Sequence, residues 1–354
     1  MTKIVATIGP SSQDTDTLNF FWEHSVQIAR LNFSHNSVDW HIEIGQKCRN
    51  IGFDLMVDLA GPKILLGFLG SEKVMINTGD TIAIEKQNLD YQYPYIHQGI
   101  QVLPCQFEIA NFAKSGQPLL IDDGKIDCEV VRVVEERVYC KVRHGGLVKS
   151  NKGLNMPLSS IEIDFLVDRD RDFLTKVVPA IKPEYVAPSF VKTKNDLEKL
   201  RNFLSNILTQ NQIKDYFPKI CTKIEMAEAV ENDNLIEIIK ESDMIMIARG
   251  DLALETLPNH IKVPFLQEKI KQLCRKLGKP FIIATQILET MCDNPVPTRA
   301  EMSDLYRAVC IDEADFVMLS GESATGKFST KCVQLMHDMI TYKKSLIQEI
   351  LNLS

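Results

Sequence analysis

The sequence predicts an α/β fold: a (β/α)8 TIM barrel with a small inserted β-barrel lid domain after the third strand. Short, β-rich apolar runs alternate with helical patterns along the chain, and eight such units can be counted. This alternation indicates a parallel sheet with helical crossovers, and eight units match a closed barrel. Several runs also end in polar residues, at the position where a parallel barrel assembles its active site.

The pattern of apolar residues predicts the bounds of the strands and helices. Barrel strands are predicted at 3–8, 26–31, 53–59, 185–191, 219–224, 244–248, 281–284 and 316–319. These runs are continuously apolar, as expected for strands that are buried on both faces. Helices are predicted at 38–49, 193–207, 232–239, 263–276, 299–310 and 330–354.

The stretch 63–155 breaks this alternation. It contains short β runs at 73–76, 81–85, 119–121, 126–134 and 138–143, separated by glycine-containing turns. We assign 63–155 to the inserted domain, and 1–62 with 156–354 to the barrel. An insertion at this point is expected to lie above the catalytic face and to act as a lid.

Composition excludes several classes of protein. The 354 residues are 45% hydrophobic and 25% charged, which is enough for one barrel and an insertion. The net charge of −7 comes without a basic tract or an apolar run of membrane-spanning length, so we expect no nucleic-acid or membrane partner. The chain starts without a signal-peptide pattern, which predicts a cytoplasmic protein. Its nine cysteines form no Cys-x-x-Cys pair and are expected to be reduced, buried thiols.

Glu225 and Asp251 are the candidate ligands of a divalent cation. Each carboxylate follows an apolar run, and the two runs are neighbours along the chain. Because adjacent parallel strands end on one face, we expect the two carboxylates to meet there. Two carboxylates with water and substrate oxygens suit Mg²⁺ or Mn²⁺. Ordinary ion pairs are the structural alternative, but Lys223 and Arg249 beside the two acids favour a functional site.

Lys223 and Thr285 are candidates for the chemistry itself. Lys223 stands two residues before Glu225, so both side chains point to the same side of the strand. An ammonium group there can stabilise negative charge on a phosphoryl group or an enolate, and an ion pair with Glu225 is compatible with that role. Thr285 ends another run, where it can orient a carboxylate or a water chain. A simple hydrogen bond from its hydroxyl to the backbone is the alternative.

Two further patterns are weaker. Arg30, Asn32 and Ser34 alternate along one face, which suits a phosphate-binding Arg beside oxygen ligands for a monovalent cation, although a polar turn would look the same. The segment 321–328 is similar to a P-loop, but Phe328 stands where the metal-binding Ser or Thr belongs. We therefore do not assign a nucleotide to it, and expect only a generic anion site at its backbone amides.

A set of segments, in this order, resembles the pyruvate kinase family across nearly the whole chain. They are 2–12 (TKIVATIGPSS), 29–35 (ARLNFSH), 58–64 (DLAGPKI), 121–126 (IDDGKI), 151–157 (NKGLNMP), 222–225 (TKIE), 247–252 (IARGDL), 284–289 (ATQILE), 297–304 (PTRAEMSD) and 317–327 (VMLSGESATGK). The resemblance implies phosphoryl transfer from phosphoenolpyruvate to ADP, giving pyruvate and ATP, with Mg²⁺ or Mn²⁺.

The resemblance also implies roles for individual residues around the substrate. Glu225 and Asp251 would bind the divalent metal, and Lys223 would stabilise the phosphoryl group and the enolate. Thr285 would help to protonate the enolate, while the backbone at Arg249 and Gly250 would hold the substrate carboxylate.

Further roles follow from the same resemblance. Arg30 would contact phosphate, as a third catalytic residue. The monovalent-cation position would comprise Asn32, Ser34 and Asp58. The nucleotide would be contacted by His35, Lys152 and Asp123.

Two departures from the family pattern carry expectations. The chain ends at Ser354, where relatives continue into a C-terminal domain, so we expect no activation by fructose 1,6-bisphosphate and, if the protein is a homo-oligomer, an altered assembly. Lys63 occupies a position where the family has either Glu, with potassium dependence, or Lys, with potassium independence. A tethered ammonium group can replace a bound monovalent cation, so K⁺ is expected not to be required.

Relatives usually have an Arg near the transferred phosphate where this chain has Leu65. The loss of that positive charge is expected to reduce the rate of phosphoryl transfer. Arg307, where relatives often have Asn, is a candidate for a compensating positive charge. Two alternatives therefore stay open: a non-catalytic or altered-specificity paralogue with a binding role, and a metal-dependent pyruvate-enolate aldolase or lyase.

Overall fold

The structure is a computed structural model that describes residues 2–70, 73–157, 159, 163–256 and 259–353. The chain divides into two compact units. The first unit comprises Met1–Gly61, Phe165–Arg249 and Pro264–Ser354, and the second comprises Pro62–Asp164 and Gly250–Val263.

The strands alternate with helices in the first unit and follow one another in the second. In chain order, the strands are β1 (Lys3–Thr7), β2 (Val26–Asn32), β3 (Asp54–Asp58), β4 (Val74–Ile76), β5 (Thr81–Lys86), β6 (Tyr95–His97), β7 (Ile100–Cys105), β8 (Pro118–Ile121), β9 (Ile126–Val134), β10 (Arg137–His144), β11 (Gly146–Val148), β12 (Leu154–Asn155), β13 (Tyr185–Ala187), β14 (Lys219–Ile224), β15 (Met244–Ala248), β16 (Phe281–Ala284) and β17 (Phe316–Leu319).

The helices are mostly the crossovers between barrel strands. They are α1 (Thr15–Glu23), α2 (Val38–Ile51), α3 (Asp168–Ile181), α4 (Lys194–Gln210), α5 (Asn232–Glu241), α6 (Arg249–Glu255), α7 (Asn259–Lys276), α8 (Arg299–Tyr306), α9 (Gly321–Ala324) and α10 (Ser329–Leu353). Within the described ranges, no helix is both long and apolar enough to cross a membrane.

Eight parallel strands close into the barrel that the sequence predicts. Their order around it is β1, β2, β3, β13, β14, β15, β16 and β17, and β17 pairs with β1 to complete the circle. Inward-facing side chains from these strands form one buried cluster, which includes Val5, Ile28, Met56, Cys221 and Ile282. The strands are apolar on both faces because helices cover the outside and this cluster fills the inside. The (β/α)8 prediction is confirmed.

Strand bounds agree closely with the sequence prediction except in β13. The run predicted at 185–191 is a strand only to Ala187. Pro188 follows, and a proline has no N–H to continue the ladder. Phe190 then adopts a left-handed φ of 56°. The chain therefore turns at the point where Ser189 enters the active-site region.

Several helical features differ from the prediction. Helix α1 was not predicted, although Asp14 caps it by accepting a hydrogen bond from the Thr17 amide at 2.9 Å. Helix α3 was also missed. The helix predicted at 299–310 ends as an α-helix at Tyr306 and continues as a π-helical turn over Arg307–Ile311.

The second unit is built on a seven-stranded sheet, in the order β12-β8-β9-β10-β5-β7-β6, with β11 and β4 paired separately. Its core contains Ile82, Leu103, Leu119, Val130 and Cys140. Strands β6, β7, β11 and β12 were not predicted from the sequence. Three of them have only two or three residues, too few for an alternating pattern, and β7 contains a proline.

Residues 250–263 group with the second unit, whereas the sequence prediction placed them with the barrel. Asn155 Nδ2 donates to Glu255 Oε1 at 2.8 Å, and Leu254 packs against Gly124. These contacts explain the grouping of α6 with the inserted sheet. The role of the inserted domain as a lid stays a prediction.

Asp170 provides a test of what holds the chain just after β3. This fully buried side chain accepts hydrogen bonds from the amides of Ala60 at 2.9 Å and Gly61 at 2.8 Å. Asp170→Ala would leave both amides without this partner, so we expect the free energy of unfolding to fall by about 2–4 kcal/mol. Urea denaturation would measure this loss.

The matched control is Asp172→Ala on the same helix. Asp172 is half exposed and pairs with the exposed Lys176, so its loss is expected to cost less than about 1 kcal/mol. Equal losses for the two variants would contradict the role assigned to Asp170.

Candidate active site

A buried network of charged side chains lies at the carboxyl ends of β1, β2, β3 and β14. Arg30, on β2, donates from Nη1 to the hydroxyl of Thr7 at 2.6 Å and from Nε to Asp58 Oδ2 at 2.7 Å. Thr7 in turn donates to the carbonyl of Leu319 at 2.8 Å. The network therefore reaches from β17 around to β3, and it joins Arg30 to Asp58, a contact that was not predicted from the sequence.

Lys223, on β14, lies at the centre of this network. Its Nζ lies 3.1 Å from Asp58 Oδ1, 2.9 Å from Glu225 Oε1 and 2.7 Å from Ser189 Oγ. The side chain is only 11% exposed, so it is held away from bulk water by three oxygen partners. Such a group carries a fixed positive charge at the strand ends.

Glu225 and Ser189 fix the chain that follows β13. Glu225 Oε2 accepts from the amide of Phe190 at 2.8 Å, and its side chain is 1% exposed. Ser189 donates its hydroxyl proton to the carbonyl of Leu59. Ser189 was not predicted as a site residue, because it lies inside an apolar run that was predicted to be a strand. The only available signal was a hydroxyl directly after Pro188.

Asp58 and Lys223 keep their charges although both are buried. Burial by itself would raise the pKa of Asp58, but Arg30 and Lys223 outweigh it and lower that pKa. Burial would likewise lower the pKa of Lys223, but Asp58 and Glu225 raise it instead. The four side chains thus balance two positive charges against two negative ones inside the barrel.

Arg249 is directed toward the loop that follows β16. It donates from Nη2 to the carbonyl of Thr285 at 2.7 Å, from Nε to the carbonyl of Ala284 at 3.2 Å and from Nη1 to Asp304 at 2.8 Å. Thr285 adopts a φ of 67°, and Gln286 one of 54°. Both are left-handed values that favour glycine, and Thr is β-branched.

The segment similar to a P-loop forms the short helix α9. Glu322 is buried and accepts from the amides of Ser320 at 2.7 Å and Leu288 at 3.2 Å. Lys327 is exposed and pairs with Asp293 at 2.7 Å. In this arrangement the segment connects the loops after β16 and β17, a role that the sequence did not indicate.

Of the predicted monovalent-cation residues, Asn32 and Ser34 lie at and after the end of β2, and Asp58 ends β3. Asn32 Oδ1 accepts from the amide of Ser34 at 3.0 Å, which forms a local turn. The carbonyl of His35 lies 3.0 Å from Nε2 of His41. Asn36 has a φ of 60°, a conformation that asparagine tolerates better than most residues.

The remaining candidates belong to the second unit. Lys63 Nζ lies 3.4 Å from Asp251 Oδ1, and the stem of Lys63 packs against Gly153. Gly250 precedes Asp251 in the same unit. The structure therefore brings the proposed potassium substitute next to one proposed metal ligand.

Lys152 and Asp123 lie by the turn between β8 and β9. Lys152 Nζ pairs with Asp122 Oδ1 at 2.8 Å, and burial of Asp122 is outweighed by Lys152 and Lys125, so the pKa of Asp122 is lowered. Asp122 and Asp123 both have left-handed φ values, of 52° and 57°.

The suggestion that Arg307 compensates for Leu65 is wrong. Arg307 lies in the π-helical turn and pairs with Glu268 at 3.2 Å and with the buried Asp312 at 3.4 Å. Asp312 precedes the amino end of β17, which is opposite the end that carries Ser320. Position in the chain alone suggested a role that the fold does not permit.

The donor chemistry at Glu225 fits a hard divalent cation. Within the part of the chain that the structure describes, no group of three or more His, Cys, Asp or Glu side chains forms a metal site. Mg²⁺ usually takes only one or two protein carboxylates, with water and substrate completing its shell. Glu225 offers a buried carboxylate whose orientation is fixed by the Phe190 amide.

The fold and the site define a (β/α)8-barrel protein with a buried, charge-balanced lysine at its strand ends. The family model described as pyruvate kinase, barrel domain, matches residues 1–333. Pyruvate kinases of Agrobacterium vitis and of Buchnera aphidicola from Acyrthosiphon pisum are 34% and 36% identical over 96% and 94% of this chain, and 67% and 68% of their own lengths.

A solved structure supports the same family. A crystal structure of a pyruvate kinase from Cryptosporidium parvum superposes with a TM-score of 0.86 at 30% identity, covering 97% of this chain and 69% of that one. The chain belongs to the pyruvate kinase family and is a phosphotransferase, as the sequence resemblance predicted. It spans about two thirds of the length of these relatives.

Removal of the Asp58 charge tests the balance of the buried cluster. Asp58→Asn would leave Arg30 and Lys223 with one fewer counter-charge, so we expect a loss of about 3–5 kcal/mol in unfolding free energy at pH 7. The folded pKa of Asp58 lies below its unfolded value, so the ionised group stabilises the fold at neutral pH. This stabilisation is lost as the pH falls through the folded pKa, so the difference between the proteins should shrink below about pH 4.

Urea denaturation of both proteins at several pH values would measure this difference. Asp293→Asn is the control, because its pair with Lys327 is largely exposed. A stability difference for Asp58→Asn that is independent of pH would contradict the assignment.

Proposed function

We propose that the protein transfers the phosphoryl group of phosphoenolpyruvate to ADP, giving pyruvate and ATP, with Mg²⁺ or Mn²⁺. The observation that carries this proposal is the buried Lys223, which keeps its positive charge between Asp58 and Glu225 at the ends of the barrel strands. Phosphoryl transfer needs positioning and charge neutralisation rather than a covalent intermediate. A fixed ammonium group supplies the charge neutralisation.

The proposed reaction has two steps. An oxygen of the ADP β-phosphate bonds to phosphorus while the bond from phosphorus to the enol oxygen breaks, which leaves the enolate of pyruvate. The enolate methylene carbon then takes a proton, with Thr285 and water as the proposed route. Lys223 and Arg30 stabilise the transferred group, and Lys223 also stabilises the enolate oxygen.

Glu225 and Asp251 are the proposed metal ligands. When bound, a divalent cation would neutralise charge on the substrate oxygens. The backbone at Arg249 and Gly250 is proposed to hold the substrate carboxylate. The other proposed contacts follow the sequence resemblance: nucleotide at His35, Lys152 and Asp123, and the monovalent-cation position at Asn32, Ser34 and Asp58.

The decisive assay measures pyruvate formed from phosphoenolpyruvate and ADP with Mg²⁺, coupled to NADH oxidation by lactate dehydrogenase. We expect turnover by the wild type, its loss on chelation of the metal, and a fall of at least about 10²–10³-fold in Lys223→Met. Lys240→Met, which removes an exposed lysine paired with Glu237, is the control and should retain the wild-type rate.

Two results would redirect the proposal. A folded protein that binds Mg²⁺ and phosphoenolpyruvate without turnover would indicate a binding paralogue, in which the loss of an Arg at Leu65 is decisive. Retained turnover in Lys223→Met would remove the main support for phosphoryl transfer at this site.

Potassium independence is the second part of the proposal. The ammonium group of Lys63, 3.4 Å from Asp251, is proposed to replace a bound K⁺. Turnover in tetramethylammonium chloride should therefore equal that in KCl at the same ionic strength. Lys63→Gln should lose activity and regain part of it with K⁺. Lys73→Gln, at an exposed position, is the control, and its turnover should equal that of the wild type in both salts.

Collapse of wild-type activity in tetramethylammonium, with recovery in KCl, would overturn the role of Lys63. The absence of fructose 1,6-bisphosphate activation, the altered assembly and the cytoplasmic location stay predictions.

A further inference from the structure

We propose that Glu322 and the Arg249–Asp304 pair are positioning residues that hold Thr285 in a strained conformation needed for enolate protonation. These three side chains are called here the Thr285 clamp. The inference rests on the proposed function, because it explains how Thr285 is positioned for one step of that reaction, the protonation of the enolate.

The starting observation is the backbone of two successive residues. Thr285 has a φ of 67° and Gln286 one of 54°, although neither is glycine. A left-handed conformation is unfavourable for most L-residues, and it is a clear outlier for a β-branched one. Strain of this kind persists only where surrounding contacts impose it, and it concentrates at functional sites.

Arg249 holds the loop from its amino side. Its guanidinium donates to the carbonyls of Ala284 at 3.2 Å and Thr285 at 2.7 Å, which are successive acceptors on the strained backbone. Asp304 accepts from the same guanidinium at 2.8 Å and fixes its plane. The planar fork of an arginine suits this geometry, since its donors are oriented before they bind.

Glu322 holds the loop from its carboxyl side. One oxygen accepts from the amide of Leu288 at 3.2 Å, and the other from the amide of Ser320 at 2.7 Å, after β17. The Glu322 side chain is almost fully buried, and Leu288 is completely buried. The carbonyls of Ala284 and Thr285 are thus bound by Arg249, which follows β15. The amide of Leu288 is bound by Glu322, which follows β17.

This arrangement has a specific consequence for the reaction. If one side of the clamp is lost, Thr285 can relax toward a right-handed or extended conformation, and its hydroxyl then changes direction. Because no clamp side chain is assigned a direct contact with the phosphoryl group, the effect should fall on proton transfer rather than on affinity for phosphoenolpyruvate. Misplacement of a reacting group by about 1 Å can cost roughly 10²-fold in rate.

The experiment uses Glu322→Gln and Asp304→Asn, which keep side-chain size. Proton transfer is isolated by following deuterium exchange into the methyl group of pyruvate in D₂O, by NMR, with Mg²⁺ and ATP. We expect exchange and kcat to fall together by about 10- to 100-fold, while KM for phosphoenolpyruvate changes less than about twofold.

The matched control is Glu184→Gln. Glu184 pairs with Arg49, which donates to the successive carbonyls of Ile181 and Lys182, and Lys182 also has a left-handed φ of 44°. Like the clamp, this site has an Arg–carboxylate pair whose Arg donates to two successive carbonyls. It lies before β13, at the opposite end of the barrel. Glu184→Gln should lower the melting temperature without changing the exchange rate of pyruvate.

Thr285→Ser provides a second test of the strain. Serine keeps the hydroxyl but lacks the β-branch, so it tolerates a left-handed φ more easily. In a double-mutant cycle, Glu322→Gln should therefore cost less exchange activity in the Thr285→Ser background than in the wild type. Equal costs in both backgrounds would contradict the strain argument.

The outcomes separate this inference from the proposed function. An active wild type whose clamp variants exchange pyruvate at the wild-type rate would overturn the clamp, and so would an equal fall in Glu184→Gln. If the wild type is inactive, the proposed function fails, and the clamp is judged by amide hydrogen exchange of a peptide spanning 285–288. That exchange must accelerate in Glu322→Gln and not in Glu184→Gln, and an unchanged rate would overturn the clamp.

Discussion

The active-site end of the barrel depends on burying Lys223 without losing its charge. A buried, unpaired ammonium group would be very costly and would tend to lose its proton. Asp58 and Glu225 prevent this loss, and Arg30 in turn keeps Asp58 ionised. Asp58 and Lys223 thus each favour the ionised form of the other. The cluster is thus a single electrostatic unit rather than a set of separate pairs.

The same end of the barrel is organised by side chains that hold neighbouring loops. Glu225 accepts from the amide of Phe190, Ser189 donates to the carbonyl of Leu59, and Glu322 accepts from the amide of Leu288. In each case a polar group near one strand end fixes the backbone after another strand. Loop conformations that are locally unfavourable can therefore persist, because the closed barrel supplies their partners.

Lys63 and Leu65, which carry two of the expectations from the family comparison, contact the same segment of the second unit. Lys63 packs against Gly153, and Leu65 forms a β-bridge with the same glycine. Lys152, the adjacent residue, is a proposed nucleotide contact and pairs with Asp122. Changes at positions 63 and 65 are thus neighbours in space as well as in sequence.

Local sequence patterns were sufficient to predict the strand period, the bounds of β14 to β17, and the placement of Lys223 and Glu225 at a strand end. These properties depend on side-chain patterns over a few residues, which are visible locally. The folded chain was needed to show that Asp58 contacts Lys223 across 165 positions, that Ser189 also contacts Lys223, and that Arg307 lies away from the site. Barrel closure creates these contacts, and no local pattern specifies which distant residues it brings together.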